Sequence, residues 1–60
     1  MITDKFGKIL DINDTVITVE NNKLRICTVL NNSFKKDYMV LKYENSSIGA
    51  VKHKNNVIKV

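Results

Sequence analysis

The sequence has no proline and no tryptophan, two glycines, one cysteine, one histidine and a single alanine, Ala50. Each shortage closes off a class of structure or chemistry. With Cys27 as the only thiol, no intrachain disulfide can form, and with His53 as the only histidine no four-ligand zinc site can be built from Cys and His. Lack of Trp disfavours the aromatic-lined grooves that read proline-rich peptides. No uninterrupted apolar run approaches the roughly 18 residues that span a membrane. The N-terminal stretch lacks the basic, apolar, small-residue order of a secretory leader. A lone thiol suits a reducing compartment, so the expected location is the cytoplasm, away from membranes.

What remains is dominated by residues branched at Cβ. There are seven Ile, seven Val and four Thr among 60 residues, and branching favours a pleated strand over a helix. Sixty residues make one domain, residues 1–60, and a chain of this length buries only about 60% of the surface its unfolded form exposes. An immunoglobulin-type sandwich needs about 100 residues. A single bent sheet closing into a small five-stranded barrel uses few apolar residues economically, and all-β is the expected class.

Turn formers divide the chain. Thr15–Glu20 reads as the first strand, ending at Asn21-Asn22-Lys23, where Asn tolerates the positive φ of a tight hairpin. Leu24–Leu30 is the second. Leu24 and Ile26 share a face while Val29 falls on the other, so either both faces are partly covered or a bulge near Cys27-Thr28 resets the phase. Asn31–Asp37 reads as a polar loop centred on Phe34. Tyr38–Tyr43 is the third strand, Glu44–Ser47 a turn, Ile48–Lys52 the fourth strand, His53–Asn56 a 3-10 turn and Val57–Val60 the last strand. Whether residues 1–13 are ordered stays open.

Asp4, Gly7 and Ile9, then Asp14-x-Val16, then Leu24-x-x-Cys27-x-Val29, and finally Asn56-Val57-Ile58-Lys59-Val60 carry a resemblance spanning nearly the whole chain. The sequence resembles the small Src-homology-3-like proteins encoded by tailed phages and some bacteria, and more distantly KOW domains. Asn13 and Cys27 stand where those proteins usually carry Gly. The resemblance implies an N-terminal arm over one end of the barrel, a strand meander and a 3-10 turn before the last strand. It also implies a non-enzymatic accessory protein that engages a host protein in the host cytoplasm and modulates its activity, or a KOW-like module that binds RNA or single-stranded DNA.

Candidate chemistry is sparse. Asp4, Asp11 and Asp14 lie in turn contexts, where a carboxylate ordinarily accepts backbone amides. Cys27 with His53 lacks a third orienting group, and free Cys is more often a core residue. No enzyme, cofactor or metal is expected. Charge is the stronger signal. Lys5, Lys8, Lys23 and Arg25 are balanced by Asp4, Asp11, Asp14 and Glu20 in residues 1–30. Six lysines face only Asp37 and Glu44 in residues 31–60, so that half carries the whole net charge of +4. Lys35, Lys36, Lys42, Lys52 and Lys54 are therefore the candidate phosphate contacts of a nucleic-acid binder. A single Arg weakens sequence-specific DNA reading, and solvated lysines that guard strand edges are the plainer explanation. For a protein partner the candidates are Phe34, Lys35, Lys36 and Tyr38, together with a free strand edge. Phe34 either tucks back onto the sheet, the commoner outcome for a lone apolar side chain, or projects as an anchor.

Overall fold

The computed structural model describes residues 2–60. Five strands form one antiparallel sheet: β1 (Thr15–Glu20), β2 (Lys23–Lys35), β3 (Tyr38–Tyr43), β4 (Gly49–His53) and β5 (Val57–Lys59), in the spatial order β4-β3-β2-β1-β5. A 3-10 turn, Lys54–Asn56, precedes β5. The chain has few glycines, and Asn and Asp do their work at the turns. Among the described residues, the positive-φ positions besides Gly7 are Asn13, Asn21, Asn22, Asp37 and Asn45. Asn21 and Asn22 both lie in the left-handed region, at φ 52° and 64°, as a two-residue hairpin turn matching strand twist demands.

Alternation along the strands sends Val16, Cys27, Val29, Met39, Leu41, Tyr43 and Val57 to the concave face, where Ile2 and Leu10 join them in the core. Thr18 is buried there too, and its hydroxyl donates to the Asn56 carbonyl at 2.8 Å. That bond ties the 3-10 turn to β1 and satisfies a polar group that would otherwise cost about 1–3 kcal/mol. Gly49 serves a close approach: a Cβ there would collide with the Leu41 carbonyl oxygen on β3.

The N-terminal residues are ordered as an arm. Thr3 bridges Ile9, and the Leu10 amide donates to the Ile2 carbonyl at 3.1 Å. Asp4, 2% exposed, organises the loop between them. Its Oδ1 accepts the amides of Phe6 and Lys8 at 2.8 and 2.9 Å, and its Oδ2 accepts the Lys59 amide at 2.8 Å. Lys5 donates its amide to the Val57 carbonyl at 2.8 Å, so the arm runs along the outer edge of β5.

The all-β class, the five antiparallel strands and the 3-10 turn are as expected, and at three points the structure departs from the finer reading or decides between its alternatives. The sheet is not closed into a barrel by hydrogen bonds. β4 and β5 remain its two edges because the arm occupies the side of β5 that closure would use. The sheet does curl, and Lys52 on β4 comes within 3.8 Å of Glu20 on β1 across two intervening strands. Secondly, Asn31–Asp37 is not a loop. β2 continues to Lys35, and only Lys36-Asp37 turns. Asn31 Oδ1 accepts both the amide and the hydroxyl of Ser33, at 2.8 and 3.2 Å, within an irregular stretch where the register shifts twice. Thirdly, one of those shifts lies between Val29 and Asn31, and the pairing through Cys27-Thr28 is regular. Leu24 and Ile26 consequently stay on the convex face. Asn13 adopts φ 75°, a left-handed value that Gly and Asn tolerate, whereas Cys27 sits in ordinary strand geometry.

Candidate interaction surfaces

The hairpin joining β2 to β3 gathers the residues singled out for a protein partner. Lys35 pairs with Tyr38 across the Lys36-Asp37 turn. Lys35 Nζ lies 5.1 Å from the Tyr38 ring centroid, and His53 meets the same ring edge-on at 5.0 Å. Phe34 projects, 55% exposed, so the tucked arrangement is not the one adopted. Lys54 anchors the 3-10 turn to this end: its amide donates to the Asp37 carbonyl at 2.8 Å, and its Nζ lies 3.5 Å from Asp37 Oδ1. An open depression of about 480 Å³ lies here, lined by Ile2, Asn32, Ser33, Lys35, Lys36 and Asp37. His53 and Lys54 reach this end only through the Tyr38–His53 register of β3 with β4.

The five candidate lysines do not share one face. Lys35, Lys36 and Lys54 cluster at the hairpin end. Lys42 is exposed on the convex side of β3, opposite Thr28 and Gly49. Lys52 has the opposite parity, pairs in register with the buried Met39, and is drawn to Glu20. Tyr38 is half-buried between Lys35 and His53, which restricts its use as a stacking platform.

At the far end of the concave face, four polar side chains cap the core. The Arg25 guanidinium lies 4.3 Å from the Tyr43 ring centroid, the Tyr43 hydroxyl donates to Glu20 Oε2, and the same oxygen faces Lys52. The hydrogen bond to the Glu20 carboxylate, with burial second, holds the Tyr43 phenol above its ordinary pKa. Burial likewise pushes the Cys27 thiol up, which keeps it protonated and inert. Cys27 pairs with Tyr43 and His53 with Tyr38, at opposite ends of β3. They are not a nucleophile and base within reach of each other.

Of the clustered aspartates, Asp4 and Asp14 accept backbone amides, and Asp11 supplies one of those amides. Burial alone would raise the Asp4 carboxyl, but the amides of Lys59, Lys8 and Phe6 outweigh it and its pKa falls below the ordinary value. Asp14 is also lowered, first by the Asp11 amide at 2.9 Å and then by Lys59, whose Nζ lies 3.4 Å away. Among the described residues, no group of three or more His, Cys, Asp or Glu is placed to hold a metal ion, and no helix is long and apolar enough to cross a membrane.

A second surface escaped the reading of the sequence. On the convex face, the register aligns Ile58, Ile17 and Ile26 across β5, β1 and β2, with Val19 opposite Leu24 one row along. Leu24 is 72% exposed, and Val19, Ile26, Ile58 and Val60 are also exposed. The signal was the opposed parity of Leu24 and Ile26 against Val29, together with Ile17 and Val19 alternating with Val16 and Thr18. Both patterns describe strands that are apolar on two faces. Comparison of the chain with protein-family models, with curated proteins and with solved structures finds no match.

Proposed function

We propose that the chain is a non-enzymatic binding module of Src-homology-3-like architecture, a phage-type accessory protein that engages a host protein in the cytoplasm and modulates its activity. The strand order, the curl that brings Lys52 to Glu20 and the 3-10 turn before β5 support the architectural half of this reading. Phe34 carries the functional half. A large apolar side chain held out of the sheet beside Lys35, Lys36 and Tyr38 has the composition of an interface anchor with a basic surround. The outer edge of β4 has no strand partner among the described residues and offers backbone groups to an incoming strand. The test is affinity capture from host lysate with and without nuclease. The reading requires a stoichiometric protein that survives nuclease and is lost with Phe34→Ala. Failure to recover one sinks it.

The second reading is a KOW-like binder of RNA or single-stranded DNA, favoured by Lys35, Lys36 and Lys54 sharing the hairpin end with His53. Lys42 lies further along β3, while Lys52 is engaged by Glu20 and Lys54 by Asp37, pairs that a phosphate would have to displace. Its signature is an affinity that falls steeply with salt, losing roughly one counterion per phosphate contact. Absence of binding at low salt eliminates it.

A further inference from the structure

We infer that His53 is a pH-operated latch: its neutral imidazole holds the 3-10 turn at the hairpin end, and protonation loosens that turn. His53 stands at the N-cap of Lys54–Asn56 with extended backbone, and its Nδ1 accepts the Asn55 amide at 3.1 Å. A ring nitrogen accepts only while it carries no proton, so this bond selects the neutral ring with its hydrogen on Nε2. Imidazolium donates from both nitrogens and would set one N–H against another. The side chains that ordinarily cap a helix, Ser, Thr, Asn and Asp, accept such an amide throughout the neutral range. Histidine is the side chain that ordinarily changes charge between about pH 5 and 8. The one histidine of the chain occupies this cap.

The capped turn is a junction. Its Lys54 amide donates to the Asp37 carbonyl at 2.8 Å, and its Asn56 carbonyl accepts the Thr18 hydroxyl at 2.8 Å. The Val57 amide donates to the Lys54 carbonyl as β5 begins. The β2–β3 turn, β1 and β5 therefore all meet the three residues that His53 caps. The electrostatic surroundings act in the same direction. From β3 the Tyr38 ring meets His53 edge-on at 5.0 Å, and Lys35 of β2 lies 5.1 Å from the same ring. Lys36 and Asp37 form the adjoining turn, Lys54 follows in the chain, and Lys52 on β4 is drawn to Glu20. Asp37, the carboxylate of this end, is taken up by Lys54, and among the described residues no ion pair reaches His53. Imidazolium thus joins Lys35, Lys36 and Lys54 as a further positive charge without gaining an acid partner. The latch belongs to the free chain and is independent of what the hairpin end binds.

Nuclear magnetic resonance of the isotope-labelled full chain, titrated from about pH 8 to about pH 5, tests the proposal. At the alkaline end the His53 ring should show an unprotonated Nδ1, coupled through the hydrogen bond to the Asn55 amide. At the acid end that coupling should be gone. Protection of the Asn55 amide against exchange, corrected for the intrinsic rate at each pH, should fall by roughly threefold to tenfold. The Val57 amide resonance should follow the ring's titration with it. His53→Asn keeps an acceptor at the cap at every pH, so Asn55 should then stay protected at both ends. Amides of Ile17 and Ile26 in the β1–β2 ladder report that the sheet stays folded throughout. A proton on Nδ1 at about pH 8 overturns the proposal. So does an Asn55 amide whose protection is unchanged while the ring titrates, one that loses protection in His53→Asn as it does in the parent, or a β1–β2 ladder that unfolds in step with the ring. If the variant fails to fold, the parent's titration decides alone.

Discussion

The carboxylate of Asp4 accepts the backbone amide of Lys59 at 2.8 Å, joining the N-terminal arm to β5. The same side chain accepts two further amides within the arm, from Phe6 and Lys8. Replacing it with Asn keeps the shape but turns one acceptor into a donor facing an N–H. Asp4→Asn is expected to cost about 2–3 kcal/mol, within the range for buried hydrogen bonds to a charged group. Chemical denaturation of the variant and the parent reads the difference.

The lowered pKa of Asp4 sets a direction for acid stability. Its folded value lies below the ordinary 3.8, so the unfolded chain takes up a proton first as pH falls. The stabilisation is complete above the unfolded value and is lost as pH drops through the folded one. Asp14 acts in the same sense. Melting temperature should therefore decline below about pH 4, less steeply in Asp4→Asn. Equal slopes for the two proteins would contradict the assignment.

Tyr43 works at the opposite end of the scale. Its bond to Glu20 favours the protonated phenol, so its pKa lies above 10.0. Here the sign reverses: the stabilisation is present below the unfolded value and disappears as pH rises beyond it. Ultraviolet titration of Glu20→Gln should show the Tyr43 phenol ionising at lower pH than in the parent.

Gly49 is constrained by space. Gly49→Ala drives a methyl into the Leu41 carbonyl on β3, and relief requires β4 to move away from β3, its one strand neighbour among the described residues. The expected loss is about 1–3 kcal/mol, as for other overpacked sites, measured by urea unfolding. Gly7→Ala, where a Cβ meets nothing within 4 Å, instead probes backbone strain at φ 85°.

The β1–β2 turn offers a change in the other direction. Asn22 holds φ 64°, a conformation Gly adopts without steric penalty. Asn22→Gly should preserve or raise stability, whereas Asn22→Val should lower it by roughly 1–2 kcal/mol. Thermal melts of the pair separate the two effects.

These elements were legible in the sequence to different degrees. Thr15–Glu20 and Tyr38–Tyr43 match their strands to the residue because alternation and flanking turn chemistry agree there. β2 extends past its expected end because pairing with β3 overrides the poor strand preference of Asn31, Asn32 and Ser33. Phe34, Lys35, Lys36 and Tyr38 fall together since they are near neighbours in the chain. Recruitment of His53 and Lys54 to them is a consequence of register, which composition does not encode. The aspartates of the turns, by contrast, announced their role: Asp4 and Asp14 bind backbone amides, as carboxylates in such contexts do. The convex apolar face was written into parity at Leu24, Ile26 and Val29, but choosing between two covered faces and a phase-resetting bulge required the pairing itself.

The placement of β5 has a kinetic corollary. β1 to β4 are joined by short hairpins, each of which closes a small loop, whereas Ile17 meets Ile58 only after a far longer stretch has been brought round. Hairpin formation should thus come early, with β5 and the arm clipping on last. Read in reverse, this seam is the first to fray. Amide protons of Lys5 and Lys59 should exchange with solvent sooner than those along the β2–β3 ladder.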